Sequence, residues 1–252
     1  MKLRKYRTFW VLSILYLISV VAANLIGWNI EQRAIAKEKM LKALGTSFGY
    51  PDVWQSVSFI SSFLIFIPAL LVILFITNEY QYRTHRQNVI DGWSRTEFIS
   101  VKIMLVIITS LISTIMVFIT VLIVGSLGEA AFAWNGVKFI GYFFIQSMSY
   151  CSLALLLAVL IKRTGFALGV FLLYAFILEG IIGAVANRFI PGRPGNYFLL
   201  NASDSLIPFP FIKNVTRTLL DKPNLTLLLV FSALYLAIYL FISIRRFQRS
   251  DL

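Results

Sequence analysis

The sequence predicts an all-α membrane protein with six transmembrane helices in a single domain, residues 1–252. Of its residues 59% are hydrophobic and 13% are charged, and the mean hydropathy is +0.82, whereas soluble domains average about 25% charged residues. Six apolar runs are each close to the length of about 20 residues that a helix needs to cross a bilayer. They cover residues 9–28, 56–77, 99–124, 137–161, 166–186 and 225–244. The runs are continuous and lack the alternation of a membrane barrel, which favours helices.

The sequence lacks the residue clusters of an enzyme. Its one histidine, His85, lies between two apolar runs, and its one cysteine, Cys151, lies within another, so no Cys/His pair or multi-histidine metal site is expected. No glycine precedes a lysine, which excludes a Walker A loop, and the length leaves no room for a nucleotide-binding domain. We therefore expect no catalytic residue, no bound metal or cofactor, and an energy source outside this chain.

The net charge of +12 is concentrated at the ends of the apolar runs. This placement indicates contacts with anionic membrane lipids and a role in topology rather than nucleic-acid binding. Six spans put both termini on one side, and the basic N-terminus and the Lys162-Arg163 turn place that side in the cytoplasm. The first run is as long as a full span, so we interpret it as an uncleaved helix rather than a secretory signal.

A polar, basic and aromatic segment, residues 78–102, separates the second and third apolar runs. Asp91-Gly92 is a turn signal, and Ser94 with Glu97 fits a capping box at the start of the next helix. Residues 80–90 contain no glycine or proline, which favours a short helix before the turn. We interpret this segment as a cytoplasmic docking element; the alternative is an ordinary basic loop that only sets topology.

This segment resembles the loop between the second and third spans in the membrane (permease) subunits of type-2 ABC transporters, the exporter class. That loop carries a glutamate, a threonine five residues later, a Ser-Arg pair ten and eleven residues after the threonine, and a lysine seven residues after the arginine. Glu79, Thr84, Ser94, Arg95 and Lys102 match this spacing in register. Residues 85–88 are His-Arg-Gln-Asn where the family usually has leucines, so the partner should be matched to a more polar docking helix.

The resemblance implies a permease that works with a separate cytoplasmic ABC ATPase, which would use ATP and Mg²⁺. A coupling helix in the docking loop, residues 78–98, would contact that ATPase. The residues expected to carry the contact are Glu79, Thr84, Arg86, Gln87, Asn88, Asp91, Gly92, Arg95 and Lys102. The resemblance also implies the bacterial inner membrane, a second permease copy, and export of lipids, glycolipids, polysaccharide, peptides or drugs. A membrane-embedded enzyme or accessory protein without an ATPase is the alternative, and a stand-alone channel is a third.

Two segments on the predicted outer side are more than linkers. In residues 29–55, apolar side chains recur at helical spacing, which is typical of a helix on the membrane surface or of one folded against the bundle. These side chains are Ile30, Ala34, Leu41, Leu44 and Phe48. Residues 188–224 hold five prolines but are strongly apolar, which favours re-entrant or interfacial short helices. The resemblance implies outer helices at the same place, between the fifth and sixth spans.

The fifth run carries two patterns of small and polar residues. Glu179, Gly183 and Asn187 share one helix face, and Glu179 is the only ionisable residue deep inside any run. Because a charge in lipid is costly, Glu179 should face protein or water, where it either fixes helix packing or contacts substrate. Gly165 and Gly169 form a motif that permits close helix approach, and the resemblance implies a dimer contact through the first and fifth spans.

The fourth run is the most polar of the six. Its polar side chains are Gln146, Ser147, Ser149 and Ser152. In a membrane such side chains usually bond to a neighbouring helix, so we expect them to support bundle packing; lining a transport path is the alternative.

Overall fold

The computed structural model of the protein describes residues 7–37, 47–82, 95–128, 130–210 and 223–249, which contain helices and no β-strand. The helices are α1 (Arg7–Lys37), α2 (Val53–Ser62), α3 (Phe66–Gln81), α4 (Arg95–Ser126), α5 (Lys138–Ile161), α6 (Thr164–Leu173), α7 (Glu179–Phe189), α8 (Asn201–Asp204) and α9 (Leu225–Arg249). A π-helical segment, Tyr174–Leu178, joins α6 to α7 in one long helix, and a 3₁₀ turn, Pro194–Tyr197, precedes α8.

Within the described ranges, five helices are long and apolar enough to cross a membrane. A sixth span results if α2 and α3, which are bent by 43° relative to each other, are counted together. The predicted all-helical membrane fold is therefore confirmed, and its six spans correspond to this count. The short helix predicted at residues 80–90 is described only at its start, where Tyr80 and Gln81 continue α3 rather than begin a separate helix; residues 83–94 lie outside the described residues.

The second predicted span, residues 56–77, is not one straight helix. Pro68 explains the break, because it has no amide hydrogen and its ring would clash with the carbonyl of Leu64 in a regular helix. The chain passes this point through tighter hydrogen bonds that span three residues, such as Leu64 N to Ser61 O at 3.0 Å. The side chain of Phe63 lies at the bend and is exposed. The break therefore places an aromatic ring at the edge of the bundle.

The predicted outer segment at residues 29–55 begins too early, because α1 continues to Lys37. Ile30 and Ala34 belong to α1, and Phe48 is 1% exposed inside the core, so these three do not form the predicted surface helix. Leu41 and Leu44 lie outside the described residues. The physical reason is that no glycine or proline follows Gly27 before Lys37, so nothing ends the helix at the predicted boundary.

Glu31 on α1 binds the backbone of residues 47 and 48, which precede α2. Its carboxylate accepts hydrogen bonds from the backbone amides of Ser47, at 2.6 Å, and Phe48, at 3.2 Å. Ser56 on α2 adds a bond from its hydroxyl to the Ser47 carbonyl at 2.6 Å. Residues 47 and 48 therefore fold back against the bundle.

The centre of the bundle is α5, which is buried over more of its length than the other long helices described. Small side chains such as Cys151, Ala154 and Ala158 are fully buried on it and allow α3, α4 and α9 to approach closely. Gln146 bonds outside its helix as predicted, to Asp204. Ser149 does not; it donates to the Ile145 carbonyl one turn back in α5, a common alternative for serine in helices.

The helices that are least covered are α1 and the continuous helix Thr164–Phe189. Large apolar side chains such as Ile18, Phe166 and Phe176 are more than half exposed on them. These two helices correspond to the first and fifth predicted spans. They leave wide apolar surfaces for lipid or for another protein chain.

Candidate functional site

Glu79 on α3 and Lys102 on α4 meet at the base of the loop that connects these helices. Lys102 Nζ lies 2.5 Å from Glu79 Oε1, and Lys102 is 4% exposed. The ammonium also lies over the rings of Phe75 and Phe98, at 5.0 and 4.6 Å from their centroids. Ring faces attract a cation that has lost its water. The ion pair therefore fixes the distance between the two helices from which the loop emerges.

The same end of the bundle is tied to two further helices. Phe98 on α4 stacks on Phe247 of α9, with ring centroids 5.0 Å apart. Thr164, the first residue of α6, donates its hydroxyl to the Thr77 hydroxyl of α3 at 2.9 Å. These contacts join the ends of α3, α4, α6 and α9. A displacement of the α3–α4 loop would therefore be passed to several helices together.

The predicted docking residues divide into two groups. Glu79 and Lys102 are brought together as described, and Arg95 is the first residue of α4. The others lie outside the described residues; they are Thr84, Arg86, Gln87, Asn88, Asp91 and Gly92.

Glu179 lies towards the other end of the bundle, where it holds the segment that follows α7. Its Oε1 accepts hydrogen bonds from the backbone amides of Leu200, at 2.5 Å, and Asn201, at 2.7 Å. These amides begin α8, where a helix leaves its first N–H groups without a partner in the helix. Glu179 is 2% exposed, so it faces protein rather than lipid.

Gly183 and Asn187 contact the same segment one and two turns further along α7. Asn187 Oδ1 accepts a hydrogen bond from the Gly195 amide at 2.7 Å. The backbones of Gly183 and Gly195 approach so closely that a Cβ on Gly195 would overlap the Gly183 carbonyl. The three residues predicted to share a face thus all contact residues 195–201.

Asp204, the last residue of α8, is a site residue that the sequence did not single out. Its Oδ1 accepts a hydrogen bond from Gln146 Nε2 at 2.9 Å, and its Oδ2 accepts one from the Tyr150 hydroxyl at 3.0 Å. Burial raises the pKa of Asp204 from 3.8 to about 6, although these two hydrogen bonds oppose the shift. The sequence signal that could have identified Asp204 is its position as an acidic residue in the middle of an apolar outer segment.

A cavity of about 240 Å³ lies against Asp204. Its polar wall comes from α5 and α8, and its apolar wall comes from α2, α3 and the π-helical segment. It is lined by Phe59, Ser62, Phe63, Phe66, Gln146, Tyr150, Ala175, Phe176, Asp204 and Ile207. The Pro68 break and the π-helical segment, two irregular places in the spans, therefore both border this cavity.

Gly165 and Gly169 lie on an exposed face of α6. A Cβ placed on either glycine would meet no atom within 4 Å outside its own helix turn. The described residues therefore leave this face open to a helix from outside the chain. Among all the residues that the structure describes, no group of three or more His, Cys, Asp or Glu side chains is arranged to hold a metal ion.

The comparison with protein families agrees with the loop spacing. The family model of the ABC-2 family transporter protein matches residues 1–178, which contain α1 to α6 and the α3–α4 loop. A search of curated proteins finds no match to the chain. Glu179 and Asp204 lie beyond the matched region, whereas Glu79 and Lys102 lie inside it. Because the match covers more than half of the 252 residues, the chain belongs to the ABC-2 family of transporter proteins.

Proposed function

We propose that this chain is the permease subunit of an ATP-driven exporter and that a separate cytoplasmic ABC ATPase docks on residues 78–98. Membership of the ABC-2 family supports the permease role. The observation that carries the docking proposal is the ion pair between Glu79 and Lys102, which closes the base of this loop. A loop with a closed base transmits force to both of its helices, whereas a loosely attached loop would absorb it.

ATP binding and hydrolysis by the partner, with Mg²⁺, would move the docking loop and with it α3 and α4. The contacts of Phe98 with Phe247 and of Thr164 with Thr77 would carry that motion to α9 and α6. The bend before Pro68 is a place where α2 can change its angle to α3. The bundle would then open a path for substrate beside the outer ends of these helices.

A second permease copy would pack through the first and fifth spans. The open face at Gly165 and Gly169 supports this arrangement, because small residues let helix backbones approach closely in a membrane. The low burial of α1 in the single chain also supports it. We expect a homodimer with both termini in the cytoplasm of a bacterial cell, held in the inner membrane.

The substrate classes that fit this proposal are lipids, glycolipids, polysaccharide, peptides and drugs. Glu179, Gly183 and Asn187 would act by holding residues 195–201 in place beside the path. Glu179 then has a packing role that also shapes the route.

The test is affinity purification of the tagged chain from its native membrane, followed by mass spectrometry. An ABC ATPase recovered in an amount equal to the permease is the expected result. Recovery of the intact chain without any nucleotide-binding subunit would contradict the proposal and would support a membrane-embedded enzyme or accessory protein. A tagged six-span protein of another family, purified in parallel, identifies ATPases that bind membrane proteins unspecifically.

A further inference from the structure

We propose that the cavity beside Asp204 binds the protonated amino group of an amphiphilic ligand. A role of the cavity as the entry site of an exported amine rests on the proposed function. Binding of the amine to the cavity requires no ATPase. Three features of the cavity carry the inference: a negative charge and a hydrogen-bond acceptor that both lack a partner among the described residues, and aromatic walls.

The first feature is negative charge that no cation of the described residues pairs. Among the residues that the structure describes, neither Asp204 nor Glu179 has a lysine or arginine within ion-pair distance. The residues that line the cavity include no basic side chain. A positively charged ligand would supply the missing countercharge in a low-dielectric site.

The second feature is the orientation of Gln146. Its Nε2 must point to Asp204, because a carboxylate only accepts hydrogen bonds, so its Oε1 points away. Gln146 is 3% exposed, and its Oε1 has no hydrogen-bond partner among the described residues. A buried acceptor without a partner costs free energy until a donor reaches it. An ammonium group with N–H bonds supplies that donor, whereas a quaternary ammonium group does not.

The third feature is a pair of aromatic walls. Phe59 and Phe63 on the α2 side meet edge to face with ring centroids 5.1 Å apart. Phe66 on α3 and Phe176 in the π-helical segment form a second edge-to-face pair at 5.3 Å. All four rings line the cavity. Aromatic faces attract cations, and rings also accept the alkyl chain of an amphiphile.

The size of the cavity limits what it holds. At about 240 Å³ it is smaller than the roughly 300–1,000 Å³ of sites that enclose a whole drug-sized molecule. It therefore fits a polar head, with the alkyl part of the ligand passing out between exposed Phe63 and Phe176. Amine lipids and soluble lipophilic amines share this chemistry.

The test measures binding of n-hexylammonium to the purified full chain in nanodiscs of phosphatidylcholine and phosphatidylglycerol, without ATPase. Hexyltrimethylammonium and hexanol serve as ligands that lack the N–H donors or the charge. We expect n-hexylammonium to bind more tightly than either one. Equal affinity for hexanol would overturn the proposal, because it would show an apolar cavity with no cation preference.

Three variants locate the site. Asp204→Asn keeps the size of the side chain but removes the charge, and we expect at least about a tenfold loss of n-hexylammonium affinity. Phe63→Leu changes an exposed ring that the fold does not bury, so it stays informative if Asp204→Asn is misfolded; we expect a loss of about two- to fivefold. Asp52→Asn removes a carboxylate that does not line the cavity and should bind like wild type. Unchanged affinity in Phe63→Leu and in folded Asp204→Asn would overturn the assignment.

Binding measurements in nanodiscs of a second lipid composition identify the source of the amine. Replacing phosphatidylcholine by phosphatidylethanolamine should weaken n-hexylammonium binding if a lipid head group is the natural occupant. Unchanged binding would identify a soluble amine, and both results support an ammonium site. Because no ATPase is present, failure of binding would not bear on whether an ATPase docks at residues 78–98.

Discussion

Lys102 and Glu79, which are 23 positions apart in the sequence, form a 2.5 Å ion pair that closes the base of the α3–α4 loop. The Lys102 side chain is 5% exposed and that of Glu79 is 18% exposed. Desolvation of this kind makes the loss of one partner more costly than the loss of both. The pair therefore stabilises one particular spacing of α3 and α4.

Glu79→Gln should destabilise the purified protein by up to about 3 kcal/mol, because it leaves the Lys102 ammonium buried without its carboxylate. Thermal unfolding in detergent, followed by intrinsic fluorescence, measures the effect. The matched control is the double variant Glu79→Gln with Lys102→Met, which removes both charges and should regain much of the loss. An unfolding temperature of Glu79→Gln equal to that of wild type would show that the pair does not stabilise the bundle.

Glu179→Leu should destabilise the protein by about 2–4 kcal/mol, because the buried amide of Leu200 and the half-buried amide of Asn201 lose their acceptor. Glu179→Gln keeps a carbonyl oxygen in nearly the same place and should lose much less. Unfolding temperatures of the two variants provide the comparison. If Glu179→Leu unfolds at the wild-type temperature, the carboxylate does not hold α8 in place.

Gly169→Leu should weaken the permease dimer without lowering the stability of the single chain. A Cβ at this position meets no atom of the described residues outside its own helix turn, but the leucine side chain would separate two helices that pack through this face. Gly141→Leu on α5 is the matched control, since its Cβ position is equally open. Mass photometry in detergent or nanodiscs counts the copies. A dimer fraction that is the same in Gly169→Leu, Gly141→Leu and wild type would exclude Gly169 from the contact.

Asp204 should make the stability of the protein depend on pH between about 4 and 6. The folded chain raises the pKa of Asp204 from 3.8 to about 6, so it favours the protonated carboxyl. The contribution of this preference to the free energy of unfolding is complete below about pH 4 and is lost as the pH rises through about 6. The groups that face Asp204 are Gln146 and Tyr150 from α5 and Glu179 from α7.

The measurement is the difference in unfolding temperature between wild type and Asp204→Asn at several pH values. We expect wild type to lose stability relative to the variant from pH 4 to pH 7, since only wild type must ionise the half-buried Asp204 carboxyl. Using the difference removes the titration of groups that the two proteins share. A difference that is constant over this range would mean that Asp204 does not titrate there.

The fold was largely predictable because the spans are long continuous apolar runs. The breaks inside them were not, since apolar residues continue on both sides of Pro68, at positions 63–67 and 69–76. Proline is tolerated in membrane helices, so its presence does not decide between a kink and a broken helix. The π-helical segment Tyr174–Leu178 has no glycine or proline to mark it, and we have no physical account of its position.

The candidate sites were predictable to different degrees. Glu79 and Lys102 were singled out because the spacing in one loop resembles that of type-2 ABC permeases, and Glu179 was recognisable because an acid in a span must face protein. Asp204 was not predictable as a site residue, because its role depends on Gln146 and Tyr150, which are 58 and 54 positions away in the sequence. The partners of an outer segment are fixed by how it folds back onto the spans, and periodicity carries no information about that contact.

Co-purification of an ABC ATPase with variants of the α3–α4 loop tests most directly whether the ATPase docks on this loop. Arg86→Glu and Asp91→Lys reverse charges in the loop, and Arg188→Glu reverses an exposed charge at the end of α7, far along the sequence from it. We expect normal membrane insertion of all three variants and loss of the ATPase from the first two alone. Retention of the ATPase at the wild-type ratio by both loop variants would contradict the account.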